Sequence, residues 1–403
     1  MRHNALDAQN SQNGHELPLW RSWRNGPRLR LLAAIAAVAA LLLSANTSSQ
    51  AAAASTPSES AILISALPKY TCPAGTVKLT PASARRTAHG ADVYHYSMTS
   101  GPGFNSYVPP AGFNPLAASN AVLSEMNMPA RPAKASALTA WKKAMSGYKG
   151  TKQPELCANT TPISEPAGKP KPLSRASGPE ASLASATGKE AFSGYVDPNS
   201  GYPFTAVGAL WNQPAPANDN ASQAYIWVGI GGWYTGNLLQ DGTTSPGNNG
   251  SVPYAFWEYL GAGKHVGVQD VAEVSPGDEI EAQVYYSTAA SGTATFYVHV
   301  NGALVLNEQE TDVSADYDPS TVDFFVERQT SPNLPLTNTG TIYFSDANGQ
   351  DSLGAVPVGS SGVIGVVMTT NGLFVAPPCT PTTMLEYPNT LSTDSFEEHF
   401  CRS

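Results

Sequence analysis

The sequence predicts an all-β protein, an antiparallel β-sandwich of the two-sheet or jelly-roll kind, preceded by a mixed α/β segment. Three observations lead there. The 403 residues include 35 Gly and 33 Pro, and only 13% are charged, a composition closer to extracellular β-rich chains than to cytosolic helical ones. From about Lys189 onward, short runs alternate apolar and polar residues between Gly, Pro and Asn turns, the pattern of half-buried strands. No long segment of helical period interrupts them, which argues against bundles and α/β folds.

At the N-terminus, Arg21, Arg24, Arg28 and Arg30 precede an apolar run from Leu31 to Leu43, with alanines at Ala51 to Ala54. Basic, apolar and small residues in that order make a secretory leader, here 1–54. The apolar run is shorter than the roughly 20 residues that span a bilayer, so a secreted chain with no stable membrane span is expected. Residues 55–157 mix short strand-like pieces with two helices. One begins near Ser119 and stops at Pro129; the other covers "SALTAWKKAMSGY" and ends at Gly147. Residues 158–188, rich in Pro, Ser, Ala and Lys, have linker composition.

Residues 189–378 carry the strands. "AYIWVGI", "PYAFWEYL", "DEIEAQVYYST", "GTATFYVHV", "TVDFFVERQ", "GTIYFSDA" and "GVIGVVM" follow one another, and Asn301-Gly302 predicts a tight hairpin. Residues 379–403 form a C-terminal extension. Four cysteines fit an oxidising compartment. Sequential pairing, Cys72 with Cys157 and Cys379 with Cys401, is the simplest of the three possible connectivities. Neither pair has the spacing of a zinc or redox motif, and no metal or cofactor is expected.

The net charge of −9 conceals two halves of opposite sign. Residues 51–190 carry +7 and residues 191–403 carry −19. A basic segment attached to an acidic domain has its own domain as the natural partner, rather than nucleic acid. A strongly acidic surface that merely keeps a secreted protein soluble is the alternative.

Period-two arithmetic sorts the polar residues on the strands. In "TVDFFVERQ", Asp323, Phe325 and Glu327 share one face, opposite Val322, Phe324 and Val326. In "PYAFWEYL", Glu258 sits with Tyr254 and Phe256, opposite Trp257 and Tyr259. A face of rings and carboxylates suits a groove that binds a polymer. Tyr254, Phe256, Trp227, Trp257 and Glu258 are therefore its substrate-binding candidates. A solvated outer face is the ordinary alternative for any one glutamate.

Several chemistries lack their motifs. "WVGIGGWYTGNLLQDGT" is neither a dinucleotide fingerprint, since Tyr234 stands at the third glycine position, nor a phosphate loop, since the Gly-Lys-Ser or Gly-Lys-Thr ending is missing. No G-x-S-x-G, H-E-x-x-H, Asp-Thr-Gly or Asp-Ser-Gly occurs. Carboxylates remain as the acid–base groups, with Gln240 as a neutral polar candidate.

The blocks "FSGYV", "FTAVGALWNQP", "WVGIGGW" with "NLLQDGT", "YAFWEYL", "VSPGD", "VDFFVERQ" and "LPLTNTGTIYF" run in order from Phe192 to Phe344. This ordered set resembles the glutamic peptidases, or eqolisins, especially secreted bacterial members. The segment through "VPPAGFNPLAASNAVL", "MPARP" and Trp141 is similar to the propeptide of that group. The resemblance implies a concanavalin-like jelly roll and an acid-acting endopeptidase, made as a zymogen with its propeptide as intramolecular inhibitor. It also implies polypeptide substrates and a monomer. By position Gln240 matches the catalytic glutamine, Glu327 the catalytic glutamate and Glu258 a supporting cleft glutamate. Fungal members carry Asp where Gly231 stands, which affects what orients the glutamine.

Peptide hydrolysis needs a base for water and a donor for the developing oxyanion. In acid a histidine is protonated and cannot be that base, whereas a glutamate with its pKa near the working pH can. A glutamine amide donates hydrogen bonds at any pH. On this reading Glu327 is the base and Gln240 the oxyanion stabiliser. The rivals are a glycoside hydrolase using Glu258 and Glu327, with their carboxyl groups about 5 Å apart, and a lectin-like module that only binds.

Overall fold

The computed structural model describes residues 57–72, 76–97, 103–131, 133, 138, 141–142, 145–146, 148–159, 186–189, 191–198, 201–215, 223–246, 252–261, 264–270, 274–287, 292–311, 313, 317–328, 336–360, 362–370, 379 and 384–401. The leader 1–54, the linker over 160–185 and much of the second predicted helix lie outside the described residues.

Thr56–Ser403 fall into one compact unit. The N-terminal segment supplies α1 (Glu59–Ser65), β1 (Thr76–Lys78), β2 (Ser83–Arg86), β3 (Asp92–Tyr96), β4 (Phe104–Val108), α2 (Asn120–Glu125) and β5 (Leu156–Asn159). Then come β6 (Ala186–Lys189), β7 (Phe192–Pro198), β8 (Ala206–Asn212), β9 (Ala224–Gly231), β10 (Leu238–Ser245), β11 (Ala255–Gly261), β12 (Lys264–Asp270) and β13 (Glu279–Ser287). β14 (Thr293–Val300), β15 (Ala303–Glu310), β16 (Thr321–Arg328), β17 (Thr341–Asp351), β18 (Gly354–Pro357), β19 (Ile364–Thr369), β20 (Met384–Ser392) and β21 (Ser395–Phe400) complete the chain.

Two sheets form, almost wholly antiparallel. The first runs β1–β5–β12–β11–β10–β9–β16–β7–β19, and β19 also takes β6 in parallel and β20. The second runs β2–β3–β4–β15–β14–β13–β8–β17–β18. The start of β17 pairs with β21, so this strand serves both sheets. The main core lies between them. Ile226, Val228, Leu239, Trp257, Phe324 and Val326 from the first sheet meet Ile280, Ala282, Val284, Phe296 and Val298 from the second.

Local chemistry explains the elements. The alternation of β13 buries Ile280, Ala282 and Val284 as the pattern requires. The hairpin between β14 and β15 has positive φ at both Asn301 (51°) and Gly302 (73°), as a type I′ turn demands. Ser119 caps α2, its hydroxyl accepting from the Val122 N–H at 3.3 Å. The helix stops where Asn127 turns left-handed, at φ 52°. Both predicted disulfides are present, Cys72–Cys157 and Cys379–Cys401. Among the described residues no helix is long and apolar enough to cross a membrane.

Candidate active site

The outer face of the first sheet carries a second apolar layer, including Trp227, Trp233, Leu238, Tyr254, Phe256 and Phe325. Antiparallel register arranges it in rows across the strands. In one row Asp323 of β16, Gly229 of β9, Gln240 of β10 and Glu258 of β11 stand side by side. The next row is Phe325, Trp227, Gly242 and Phe256. Beyond it Glu327 lies beside Tyr225. Alternation puts Gln240, Glu258 and Glu327 on one face, with the aromatic row between them interrupted at Gly242, where a Cβ would meet Ile226 O at 2.0 Å.

The polar contacts follow from this placement. The Gln240 amide donates from Nε2 to Glu258 Oε2. Gln240 is 4% exposed and Glu258 7%, and Gln240 Oε1 has no donor among the described residues. The Trp227 indole donates from Nε1 to Glu327 Oε2 at 3.0 Å. Tyr225, an aromatic neighbour that the alternation of "AYIWVGI" places with Trp227, packs edge-on against Phe256 at 5.3 Å between ring centroids. Tyr225 was not among the sequence candidates, though its parity with Trp227 was the available signal.

Burial first, and the nearby charge of Glu258 second, push the Glu327 carboxyl up to about 8, against the pull of the Trp227 hydrogen bond. This differs from a base poised in the acid range. Glu327 is half-buried, and a carboxyl partly withdrawn from water and set near a like charge holds its proton more tightly. Glu327 as placed is therefore a proton donor below about pH 8.

Trp257 does not belong to this face. It is fully buried between the sheets, stacked on Phe296 at 4.7 Å and met edge-on by Phe104 at 5.2 Å. The reason is the two-residue period: if Glu258 faces out, its neighbour faces in. Trp227, Tyr254 and Phe256 do lie on the face. His299 is on the second sheet, 6% exposed, its Nδ1 3.8 Å from Glu281.

Gly231 has a backbone reason to be glycine. Its φ is 77°, and a Cβ there would meet Asn237 O at 2.6 Å and Asp318 O at 2.8 Å. Any side chain would need the loop to move. The amide of Gln240 is held instead by Glu258.

Residues 190–383 match the model of the Peptidase A4 family. No curated protein matches the chain. Among solved structures, a crystal structure of scytalido-glutamic peptidase with a peptide-based transition-state analog is 17% identical, over 52% of this chain and 98% of that one, with a TM-score of 0.39. A second, with a transition-state analog inhibitor, has the same identity and coverage and a TM-score of 0.38. The eqolisin SCP-B, in complex with the tripeptide Ala-Ile-His, is 16% identical over 52% and 98%, with a TM-score of 0.36.

Proposed function

The chain belongs to the Peptidase A4 family and is a glutamic peptidase, and from that premise we propose that Gln240, Glu258 and Glu327 carry out its chemistry. The observation that supports this reading is the shared face: a glutamine amide tied to one carboxylate, with a second carboxyl that feels the first. Gln240 donates to the oxyanion that forms as water adds to the peptide carbonyl, a task that needs a fixed donor of no charge. Glu327 handles the proton. Ionised, it takes one from the attacking water; protonated, it gives one to the leaving amine. Its raised pKa favours the second half-step, and in acid the first requires the carboxyl to ionise once substrate and water occupy the face. Trp227 holds the carboxyl in place, while Tyr254 and Phe256 give the face apolar area for a peptide.

The glycosidase alternative needs two free carboxyl groups across a sugar bond. Here the Glu258 carboxylate is engaged by Gln240, which favours the peptidase. We further propose that the chain is exported, acts as a monomer, and is made as a zymogen whose basic N-terminal segment keeps it latent until the linker within 158–188 is cut. The test is incubation of the purified chain with denatured protein near pH 4 and mass analysis of the products. Internal peptide cuts support the reading, and intact substrate after prolonged incubation overturns it.

A further inference from the structure

The N-terminal segment is built into both sheets. β5 lies between β1 and β12, with Ala158 opposite Val268, Cys157 opposite Gln269 and Leu156 opposite Asp270. β4 lies between β3 and β15, with Ser106 opposite Glu308 and Phe104 opposite Glu310. Further along the same edge, Lys149 and Lys152 donate backbone N–H groups to Gly302 O (2.6 Å) and Leu304 O (3.0 Å), and Leu304 N–H returns one to Gly150 O (2.8 Å). One edge of each sheet is therefore closed by this segment rather than by the 186–401 strands.

The core is shared too. Tyr96 stacks on Phe104 at 5.0 Å, and Phe104 meets Trp257, which stacks on Phe296. Leu63, Tyr94, Tyr96, Phe104 and Leu156 belong to the cluster that fills the space between the sheets. On the outer face of the second sheet, Leu123, Met126, Met128 and Trp141 cover Tyr297 and Leu304. Asn127 is 6% exposed and anchors a buried polar network there. Its Nδ2 donates to Asn307 Oδ1 at 2.8 Å, its Oδ1 accepts from Gln309 Nε2 at 2.8 Å, and its carbonyl accepts from the Tyr297 hydroxyl. Asn307 Nδ2 in turn donates to Tyr107 O at 3.1 Å. These contacts are on the side of the sandwich away from Gln240, Glu258 and Glu327.

We propose that residues 57–159 are a permanent structural complement of the β-sandwich, retained as a second, non-covalently bound chain after the linker is cut, so that activation follows from the cut itself and not from departure of the segment. Departure of the segment would open two sheet edges at once and strip Trp257 of Phe104. It would also leave Tyr297, Asn307 and Gln309 without their buried partners. Exposed edges of this length invite association with other chains, and buried polar groups left without partners oppose the separated state. Backbone ladders, ring stacking and neutral amide bonds do not titrate between pH 4 and 7. Acid alone therefore should not release the segment, unlike a complex held by opposite surface charges. The inference rests on the linker cut proposed above but not on the assignment of Gln240, Glu258 and Glu327.

The test places a sequence-specific protease site in the full-length chain within 168–178, in both the wild-type and Glu327→Gln backgrounds. After cutting, size-exclusion chromatography and native mass spectrometry at pH 7, pH 4 and 0.5 M salt read whether the fragments travel together. We expect one species containing both fragments in all three conditions, and one urea transition in which dissociation and unfolding coincide. Separation into a free N-terminal fragment and a folded, monomeric 186–403 fragment in any of these conditions overturns the proposal. So does loss of the fragment at a urea concentration where the sandwich stays folded. Because the inactive background gives the same readout, this failure is distinct from a failure of the catalytic assignment.

Discussion

Gln240 and Glu258 face each other across one antiparallel pair, and Glu327 stands one aromatic row away. Replacing Gln240 by Ala removes the oxyanion donor, and losing one such donor costs on the order of 10²–10³ in turnover; steady-state kinetics on a defined peptide should show that loss mainly in kcat. Glu258→Gln removes the charge that helps raise Glu327. The pH–rate limb belonging to Glu327 should then move to lower pH. Trp227→Phe removes a hydrogen bond that lowers the same pKa, so its limb should move the other way. Unmoved limbs in both variants would separate Glu327 from the measured step. Alternation set Glu258 with Tyr254 and Phe256, and Glu327 with Phe325; that these faces and Gln240 lie together comes from the register between strands. The Gln240–Glu258 bond was not legible, because it depends on how β10 and β11 align across their loop, which no single strand encodes. Trp257, named among the binding candidates, stands opposite Glu258 by the same arithmetic and is packed on Phe296 between the sheets, so that assignment is corrected.

The runs that became β9, β11, β13, β14, β16, β17 and β19 were readable as strands, and in β13 the burial follows the alternation of the sequence. The hairpin at Asn301-Gly302 was readable because its turn needs two left-handed residues. By contrast, α1 and the short strands β1 to β3 carry too few periodic residues to be fixed individually. The pairing of β4 with β15 and of β5 with β12 was also hidden, since an edge offers backbone groups and no side-chain code. Charge left both an association of the two halves and a merely solubilising acidic surface open, and the contacts described above include ladders and rings that charge does not report. Phe104, 0% exposed and stacked in the shared core, tests this level. Phe104→Ala should cost roughly 3–5 kcal/mol, read as a lower urea midpoint for the whole molecule. A midpoint unchanged from wild type would mean that the N-terminal strands do not support the sandwich.

At the scale of the molecule, buried carboxyls shape the response to pH. Burial raises Asp197 to about 6 and Glu327 to about 8, and it raises Asp241, Asp323, Glu386 and Glu398 as well. Ser193 donates to Glu398 at 2.8 Å, and Ser360 to Asp197 at 3.1 Å. Unfolded, these groups titrate near 4. Between about pH 4 and 8 the native chain keeps protons that the unfolded chain has lost, so stability falls as pH rises. It is fully present below about 4 and lost as pH passes the folded values, from about 6 toward 8. Urea midpoints at pH 3.5, 5, 6.5 and 8 should therefore decrease in that order; a midpoint that climbs across the series contradicts the buried-carboxyl account. The central claim, that Glu327 and its partners hydrolyse peptide bonds, is tested most directly by kcat/KM on one internally cleaved peptide for wild type and Glu327→Gln, with folding checked by circular dichroism. The account predicts a loss of at least about 10²-fold, as expected when a general acid–base group is removed, in a variant that folds normally. A folded Glu327→Gln protein within a few-fold of wild type would contradict it.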